Sequence, residues 1–415
     1  MKSIKLPQGG IFDKKDIKLD FPKNWDVEVC DSPANKMKAI TSKKMSDLIN
    51  SPVGSRTIRE AARDKSKVVL IIEDISRGTR IDKVIKFILK ELISTGIRED
   101  EIEIICAVGA HGAHDRIDFV KKLGKEVVEK FPVYNHNPFF NCKYIGKTSR
   151  GTRVLINPEV LECDLKISVG TIVPHPLFGF SGGGKIILPG ISSIETIYSN
   201  HILESDSLKG IKGNFVDGLG RIENNVMQRE MEEVCEMVGI DFLVNALVDY
   251  NGEIVDLVAG HPIYAHKEGV KKAKEIYGTS YKSKADLVIA NANFKINEAN
   301  IALAFGKKSL KNNGDIVIIN HSRIGQVTHY LCSGFGYNYG GKFWSKDKGN
   351  TTKNINKVIL FNPYINKIDE DWFGGFGKVK WASEWQEVIN LLDYDSDNNV
   401  SVNLFTDATI QYFLN

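Results

Sequence analysis

The sequence predicts an α/β fold, arranged as two α/β units with mostly parallel sheets. Short apolar runs alternate with amphipathic stretches along the chain, which is typical of strands joined by helices. The run VVLII within residues 67–72 shows no polar alternation, as expected for a strand covered on both faces of a parallel sheet. Residues 81–94 follow with apolar side chains at helical spacing, so a strand leads directly into a helix.

The same patterns place the other elements and divide the chain. In the first unit we predict further strands at 102–108 and 165–173, and helices at 115–123, 226–238 and 262–277. A later set of strands is predicted at 286–290, 315–319, 358–361 and 402–405. A polar connector at 278–284 separates a larger unit, 1–277, from a smaller one, 285–415. We expect a site in the cleft between them and leave the extreme C-terminus free to pack back on the first unit.

Charge and cysteine usage exclude several classes of protein. Lys and Arg number 55 against 52 Asp and Glu, a net charge of +3, so no basic excess indicates a nucleic-acid partner. No run of 18 apolar residues indicates a membrane helix, and no apolar run of 7–15 residues follows the basic residues at the N-terminus as in a signal peptide. No two cysteines are spaced C-x-x-C, so we expect reduced thiols in a cytoplasmic protein.

Two predicted strands end in loops that carry polar side chains. Residues 73–80 (EDISRGTR) contain Asp74 and Arg77, and residues 107–115 (AVGAHGAHD) contain His111 and His114. Because ligands of α/β folds bind beyond the carboxyl ends of strands, Arg77 is placed to hold a carboxylate or phosphate. His111 suits a general base, and its spacing from His114 also permits a metal pair. Loop residues without a role remain the alternative for both segments.

The most informative segment is PHPLFGFSGGGKIILPG, residues 174–190. It contains G-x-x-x-x-G-K, but Ile186 stands where a P-loop needs Ser or Thr, and Pro189 interrupts the following helix. We therefore reject a nucleotide triphosphatase. What remains is a loop, Ser181 with Gly182, Gly183 and Gly184, that can bring its backbone close to an anion or a flat cofactor. His175 begins the segment, and Lys185 follows as a phosphate partner or a covalent nucleophile.

The other histidines give weaker signals. His201 follows a predicted short helix in residues 197–206, and taken alone it reads as a structural side chain. The remaining five are interpreted as structural or peripheral: His136, His261, His266, His321 and His329.

Taken in this order and spacing, these segments resemble the lactate racemase family of nickel-dependent 2-hydroxyacid racemases and epimerases. The resemblance covers most of residues 65–320, and its most specific stretch is HPLFGFSGGGKIILPGIS. It extends to GKTSRGTRVLINPEVLECDLKISVGTI at 146–172 and to EANIALAFGKKSLKNNGDIVII at 298–319. The resemblance implies that the larger unit is catalytic and binds the cofactor.

Members of this family use a nickel-pincer nucleotide, derived from nicotinic acid and joined covalently to one lysine. By resemblance, the lysine is Lys185, the nickel ligand is His201, and the two acid/base residues are His111 and His175. Arg77 matches the substrate-carboxylate arginine, with Asp74 beside it at the cofactor. The implied reaction interconverts C2 stereoisomers of a 2-hydroxy acid through a 2-keto acid, with hydride transfer to the cofactor. The implied partners are this small substrate and the cofactor-maturation enzymes.

One segment departs from the lactate-specific members. There a tyrosine, a glutamine and a lysine contact the substrate, whereas the matching positions here are Ala302, Leu303 and Gly306. Lys307 and Lys308 come one and two positions later, and either could replace the family's lysine. We therefore expect Arg77, Ala302, Leu303 and Lys307 to bind a substrate other than lactate.

Two other hypotheses compete with the racemase. The first is a nucleotide- or sugar-phosphate-binding protein or enzyme that uses the glycine loop without nickel. The second is a hydrolase with a metal held by His111 and His114.

Overall fold

The computed structural model describes residues 2–207, 218–331, 352–375 and 377–414, with side chains omitted at 202–207 and 368. No helix in these ranges is both long and apolar enough to span a membrane.

From residue 68 onward, most of the predicted strands and helices are present, and the strands within residues 2–30 and 133–156 are additional. The strands are β1 (Lys2–Gln8), β2 (Lys15–Phe21), β3 (Trp25–Cys30), β4 (Val68–Glu73), β5 (Ile102–Ala107), β6 (Val133–Asn135), β7 (Lys143–Lys147), β8 (Arg153–Ile156), β9 (Leu165–Thr171), β10 (Pro174–His175), β11 (Gly179–Phe180), β12 (Phe242–Val248), β13 (Ile254–Gly260), β14 (Gly278–Thr279), β15 (Ala285–Asn291), β16 (Leu310–Ile319), β17 (Ile355–Phe361), β18 (Lys380–Ala382), β19 (Val400–Phe405) and β20 (Tyr412–Phe413). The α-helices are α1 (Ser42–Ile49), α2 (Ile58–Ala61), α3 (Ile81–Ile93), α4 (Arg116–Leu123), α5 (Lys125–Lys130), α6 (Pro158–Leu161), α7 (Ile194–Ser207), α8 (Val226–Val238), α9 (Pro262–Tyr277), α10 (Asn300–Lys307) and α11 (Trp385–Leu392). Short 3-10 helices lie at Pro33–Lys36, Glu99–Glu101, Gly183–Ile186 and Lys367–Phe373.

The first sheet has six strands in the order β13-β12-β9-β4-β5-β6, and only β13 runs antiparallel to its neighbour. Its central strand β4 is buried on both faces, because Val68, Leu70 and Ile72 pack with α3 while Val69 and Ile71 pack toward α8. The unbroken apolar run follows from this double cover.

The second sheet also has six strands, in the order β18-β17-β16-β15-β19-β3, all parallel. Helix α10 packs on one face, and α11 with the β1–β2 hairpin packs on the other. The predicted α/β fold with mostly parallel sheets is thus confirmed.

The beginning of the chain lies with the second sheet, whereas the predicted division assigned it to the first unit. Strand β3 pairs with β19 over six residues, from Trp25 beside Val400 to Cys30 beside Phe405. Leu19 and Phe21 of the hairpin are fully buried in the same cluster. Burial of these apolar side chains explains why the beginning of the chain packs with the second sheet. A local sequence pattern can predict a strand but not which sheet the strand will join.

The end of the chain lies beside the connector. Strand β20 pairs with β14, and the Tyr412 hydroxyl donates to the carbonyl of Lys274 in α9 at 2.6 Å. The C-terminus therefore contacts a helix that packs on the first sheet.

Candidate active site

The described residues enclose a cavity of about 380 Å³ beyond the carboxyl ends of β4, β5 and β9. Its walls come from the loops after these strands, the glycine loop, helix α7 and segments that follow strands of the second sheet. Seven of the predicted side chains line it together: Asp74, Arg77, His111, His175, Ser181, Lys185 and His201.

Asp74 and His111 form the first pair in this cavity. His111 Nδ1 lies 2.6 Å from Asp74 Oδ2, while Asp74 Oδ1 accepts from the Ser76 backbone N–H at 2.8 Å and from the Ser76 hydroxyl. Burial raises the pKa of Asp74, but the charge and hydrogen bond of His111 bring it well below its usual value. The ionised carboxylate therefore holds a proton on Nδ1 and leaves Nε2 as the nitrogen that faces the cavity.

His175 shows the opposite arrangement. Its Nδ1 accepts from the backbone N–H groups of Leu177 at 3.2 Å and Phe178 at 3.3 Å. Burial first, and then the charges of Lys185 and Lys295, hold the pKa of His175 well below its usual value. The ring is therefore neutral with its proton on Nε2. His111 is thus held through Nδ1 with Nε2 toward the cavity, whereas His175 is held through Nδ1 and presents Nε2–H as a hydrogen-bond donor.

The glycine loop passes too close to its neighbours for side chains. Gly182 has a φ of +82°, and a Cβ on it would lie 2.6 Å from Asn245 Oδ1. Gly183 has a φ of +56°, and a Cβ on it would lie 2.7 Å from His266 Cγ. The Gly183 N–H donates to Asn245 Oδ1 at 2.9 Å, and the Ser181 hydroxyl donates to the Thr171 carbonyl at 2.8 Å. The loop is therefore held from both sides.

Lys185 follows this loop in the short helix Gly183–Ile186. Its Nζ lies 5.6 Å from the centre of the Phe178 ring. Burial, followed by the charge of Arg77, lowers the pKa of Lys185 to about 8. A substantial fraction of this amine is therefore neutral near pH 8, as a nucleophilic lysine requires.

His201 is oriented by its own helix, α7. Its Nδ1 lies 2.9 Å from the Ile197 carbonyl one turn earlier, so Nδ1 donates and Nε2 keeps its lone pair. Burial lowers the pKa of His201 to about 4 although this hydrogen bond raises it. A neutral imidazole whose second nitrogen is already bonded is the form that binds a metal.

Arg77 is buried and paired with a residue that the sequence analysis missed. Its Nη1 donates to Glu298 Oε2 at 2.5 Å and to the Ser76 hydroxyl at 2.9 Å. Burial alone would raise the pKa of Glu298, but the charges of Arg77 and His111 bring it below its usual value. Glu298 follows strand β15, so the rule of strand ends could have identified it.

His329 is a second missed residue. It lines the cavity, forms a backbone bridge with His111, and places its ring centre 5.3 Å from the His111 ring in an edge-on contact. Its Nδ1 accepts from the Leu331 N–H at 3.2 Å. From the sequence we interpreted His329 as structural or peripheral, and no motif around it indicates a role in a site.

The structure does not bring the other predicted substrate residues to the cavity. Ala302 and Leu303 are fully buried in the core beneath α10, and Lys307 lines a separate surface pocket beside Lys308. The cavity instead receives Asn300, Ile301 and Ala304 from this helix. The reason is the position of each residue around the helix axis. Residues 300, 301 and 304 share one face of α10, while residues 302 and 303 turn toward the sheet.

His114 points away from His111. Its Nε2 accepts from the Ile75 N–H at 3.4 Å, and its Nδ1 lies 3.5 Å from Asp118 Oδ2. Within the described ranges, no three or more His, Cys, Asp or Glu residues are grouped as metal ligands. This geometry gives the His111–His114 metal pair no support.

Comparisons with known proteins find similarity to lactate racemases. The lactate racemase N-terminal domain family matches residues 12–210. Lactate racemase of Thermoanaerobacterium thermosaccharolyticum is 29% identical over 328 residues, covering 77% of this chain and 74% of that protein. Lactate racemase of Lactiplantibacillus plantarum is 30% identical over 234 residues, covering 55% and 53%.

Solved structures share the fold. The lactate racemase apoprotein of T. thermosaccharolyticum has a TM-score of 0.75 at 22% identity, with all of both chains covered. A crystal structure of a Thermotoga maritima protein has a TM-score of 0.66 at 16% identity, covering 91% of this chain and 99% of that one. The predicted resemblance to the lactate racemase family and the predicted enzyme class, an isomerase, are both confirmed.

Proposed function

We propose that this racemase interconverts the C2 stereoisomers of a 2-hydroxy acid with a nickel-pincer nucleotide attached to Lys185. One observation carries the proposal: a single cavity unites a buried amine, a metal-binding imidazole and two imidazoles of opposite proton placement. Similarity to lactate racemases supports racemisation, and these side chains support the finer reaction.

The residues present fit this cofactor. Lys185 has the lowered pKa that formation of an amide-type bond needs, and His201 offers Nε2 to a nickel ion. Gly182 and Gly183 line the cavity and pack against Asn245 and His266 on the side where a Cβ would stand, so the backbone itself forms this wall for a flat ring or an anion. When bound, the nickel-pincer nucleotide supplies a reversible hydride acceptor for C2 of the substrate.

The chain's own groups perform the acid/base work. Arg77 binds the substrate carboxylate, which fixes C2 in the cavity. His111 Nε2 takes the hydroxyl proton as C2 is oxidised to the planar 2-keto acid. When C2 is reduced on its other face, His175 returns a proton to the oxygen from its doubly protonated form, so the two histidines share one extra proton that each turnover moves between them. The opposite enantiomer requires the two histidines to exchange these roles. Burial of the site excludes water from the keto acid.

The test is expression in a host that supplies nickel and the cofactor-maturation enzymes, the expected protein partners. We expect a mass adduct on Lys185, bound nickel, and racemisation in a panel of 2-hydroxy acids followed by chiral analysis. A Lys185→Arg variant should lack the adduct and the activity. An unmodified, inactive wild-type protein from this host would contradict the proposal, and saturable nucleotide binding without nickel would favour the competing hypothesis.

A further inference from the structure

Glu298 lies where the proposed substrate must bind. Its Oε2 accepts from Arg77 Nη1 at 2.5 Å, and its Oε1 lies 3.9 Å from His111 Nε2. In the proposed function, Arg77 binds the substrate's carboxylate and His111 binds its hydroxyl. The side chain comes from the segment after β15 and is 15% exposed. Any substrate in this cavity therefore meets a carboxylate of the protein itself.

Arg77 can hold Glu298 and a substrate together. The hydrogen bonds recorded for its guanidinium all leave from Nη1, to Glu298 and to the Ser76 hydroxyl and carbonyl. Within the described residues, Nε and Nη2 donate no hydrogen bond. A guanidinium presents five N–H donors in a planar fork, so the edge formed by Nε and Nη2 suits a second carboxylate. Glu298 can thus remain on Nη1 while the substrate binds.

This arrangement makes particular demands on the substrate. Glu298 is ionised, because the charges of Arg77 and His111 outweigh burial and lower its pKa. An ionised carboxylate only accepts hydrogen bonds, and its Oε1 receives none from the described residues. A second carboxylate on the same guanidinium adds like-charge repulsion. A bound acid without another donor would leave Oε1 desolvated and unpaired, whereas an added hydroxyl would satisfy it.

Resting on the function proposed above, we propose that the substrate is a 2-hydroxy acid with at least one further hydroxyl, on C3 or beyond, and that Glu298 accepts its hydrogen bond. Glu298 is then a specificity-determining residue that selects hydroxylated acids over simple alkyl acids. Asn300 lines the same wall, and its amide can bind a more distant hydroxyl.

The experiment compares three acids that differ only at C3: lactate with hydrogen, glycerate with a hydroxyl, and isoserine with an ammonium group. Their dissociation constants are measured by calorimetry on the full-length chain without cofactor at pH 7.5. We expect glycerate to bind at least about tenfold more tightly than lactate, since a hydrogen bond to a charged group has this magnitude. Glu298→Gln should weaken glycerate binding and strengthen lactate binding.

A matched control separates this effect from general charge removal. Glu253 forms surface pairs with Lys14 and Lys83, so Glu253→Gln should change neither constant. The comparison of the three acids on the wild-type protein does not depend on any variant. A thermal unfolding measurement shows whether Glu298→Gln is folded.

Three outcomes would overturn the inference: glycerate binding no tighter than lactate, isoserine binding tighter than glycerate, or no binding of any of the acids. The two proposals fail separately. A missing adduct on Lys185 contradicts the cofactor reaction, whereas an unchanged ratio of lactate to glycerate affinity in Glu298→Gln contradicts the role of Glu298.

Discussion

Asp74 and His111, from the ends of adjacent strands β4 and β5, are joined by a contact of 2.6 Å between Oδ2 and Nδ1. Both oxygens of the carboxylate accept, since Oδ1 receives the Ser76 N–H at 2.8 Å. The pair thereby sets which nitrogen of His111 faces the cavity, and this choice decides what the ring can do.

Asp74→Asn should lower kcat for racemisation about 10²-fold or more. Asparagine has one acceptor oxygen where the site uses two, so either Ser76 or His111 loses its partner. The measurement is steady-state racemisation by protein matured with nickel and cofactor, with adduct content matched. Asp118→Asn is the control, because Asp118 faces His114 outside the cavity and should leave the rate unchanged. Equal rates for both variants would show that Asp74 does not orient His111.

His111→Ala and His175→Ala should each abolish racemisation from both enantiomers. Every turnover needs one imidazole to take a proton and the other to return it, and loss of either step costs about 10²–10⁴-fold. Each variant is assayed from the two pure enantiomers by chiral chromatography, with the Lys185 adduct verified by mass. Full activity from one enantiomer in either variant would contradict the assignment of two bases.

Lys295 should make stability depend on pH. It is fully buried, and its Nζ donates to the Pro174 carbonyl, beside His175, at 2.9 Å. Burial, followed by the charge of Arg77, lowers the pKa of Lys295 to about 7 from 10.5. Between pH 7 and 9 the unfolded chain therefore binds a proton that the folded chain lacks, so stability rises with pH.

Relative to Lys295→Met, the wild type should gain about 2 kcal/mol in free energy of unfolding between pH 7 and 9. Methionine fills a similar volume and does not titrate. Urea unfolding of both proteins at several pH values measures the difference in slope, which cancels the titration of other groups. Parallel pH profiles would show that Lys295 keeps an ordinary pKa.

Gly183→Ala should destabilise the protein by more than the cost of its backbone conformation. Its φ is +56°, and an added Cβ would lie 2.7 Å from the His266 ring. Gly239 is the matched control, since its φ is +72° and no atom lies within 4 Å of an added Cβ. We expect Gly239→Ala to cost about 1 kcal/mol and Gly183→Ala about 1–3 kcal/mol more. Equal thermal midpoints for the two variants would mean that His266 moves aside freely.

Local patterns predicted most of the first unit. The expected strands at 102–108 and 165–173 correspond to Ile102–Ala107 and Leu165–Thr171, and the expected helix at 226–238 to Val226–Val238. Apolar period and burial are properties of neighbouring residues, so they can be read from a short window. Strand ends also placed Asp74, Arg77 and His111 at one edge of the sheet, because parallel strands share that edge.

Local patterns could not predict which face of α10 lines the cavity. Alignment by resemblance selected Ala302 and Leu303, whereas Asn300, Ile301 and Ala304 line the cavity. Both sets lie on one short helix, and its rotation about its own axis decides which set meets the sheet. That rotation follows from packing on β15 and β16, which the segment itself does not specify.

The sequence by itself predicted the α/β class, the two groups of strands, the glycine loop with Lys185, and His111 and His175. The resemblance to a family added His201, and all four of these side chains line the cavity. Tertiary structure alone decided that Arg77 meets Glu298 across 221 positions of sequence and that His111 meets His329. It also decided that β3 joins the second sheet and that the β1–β2 hairpin packs on it. The physical reason is that such contacts depend on how separate sheets and helices bury their apolar surfaces together, which no short stretch of sequence encodes.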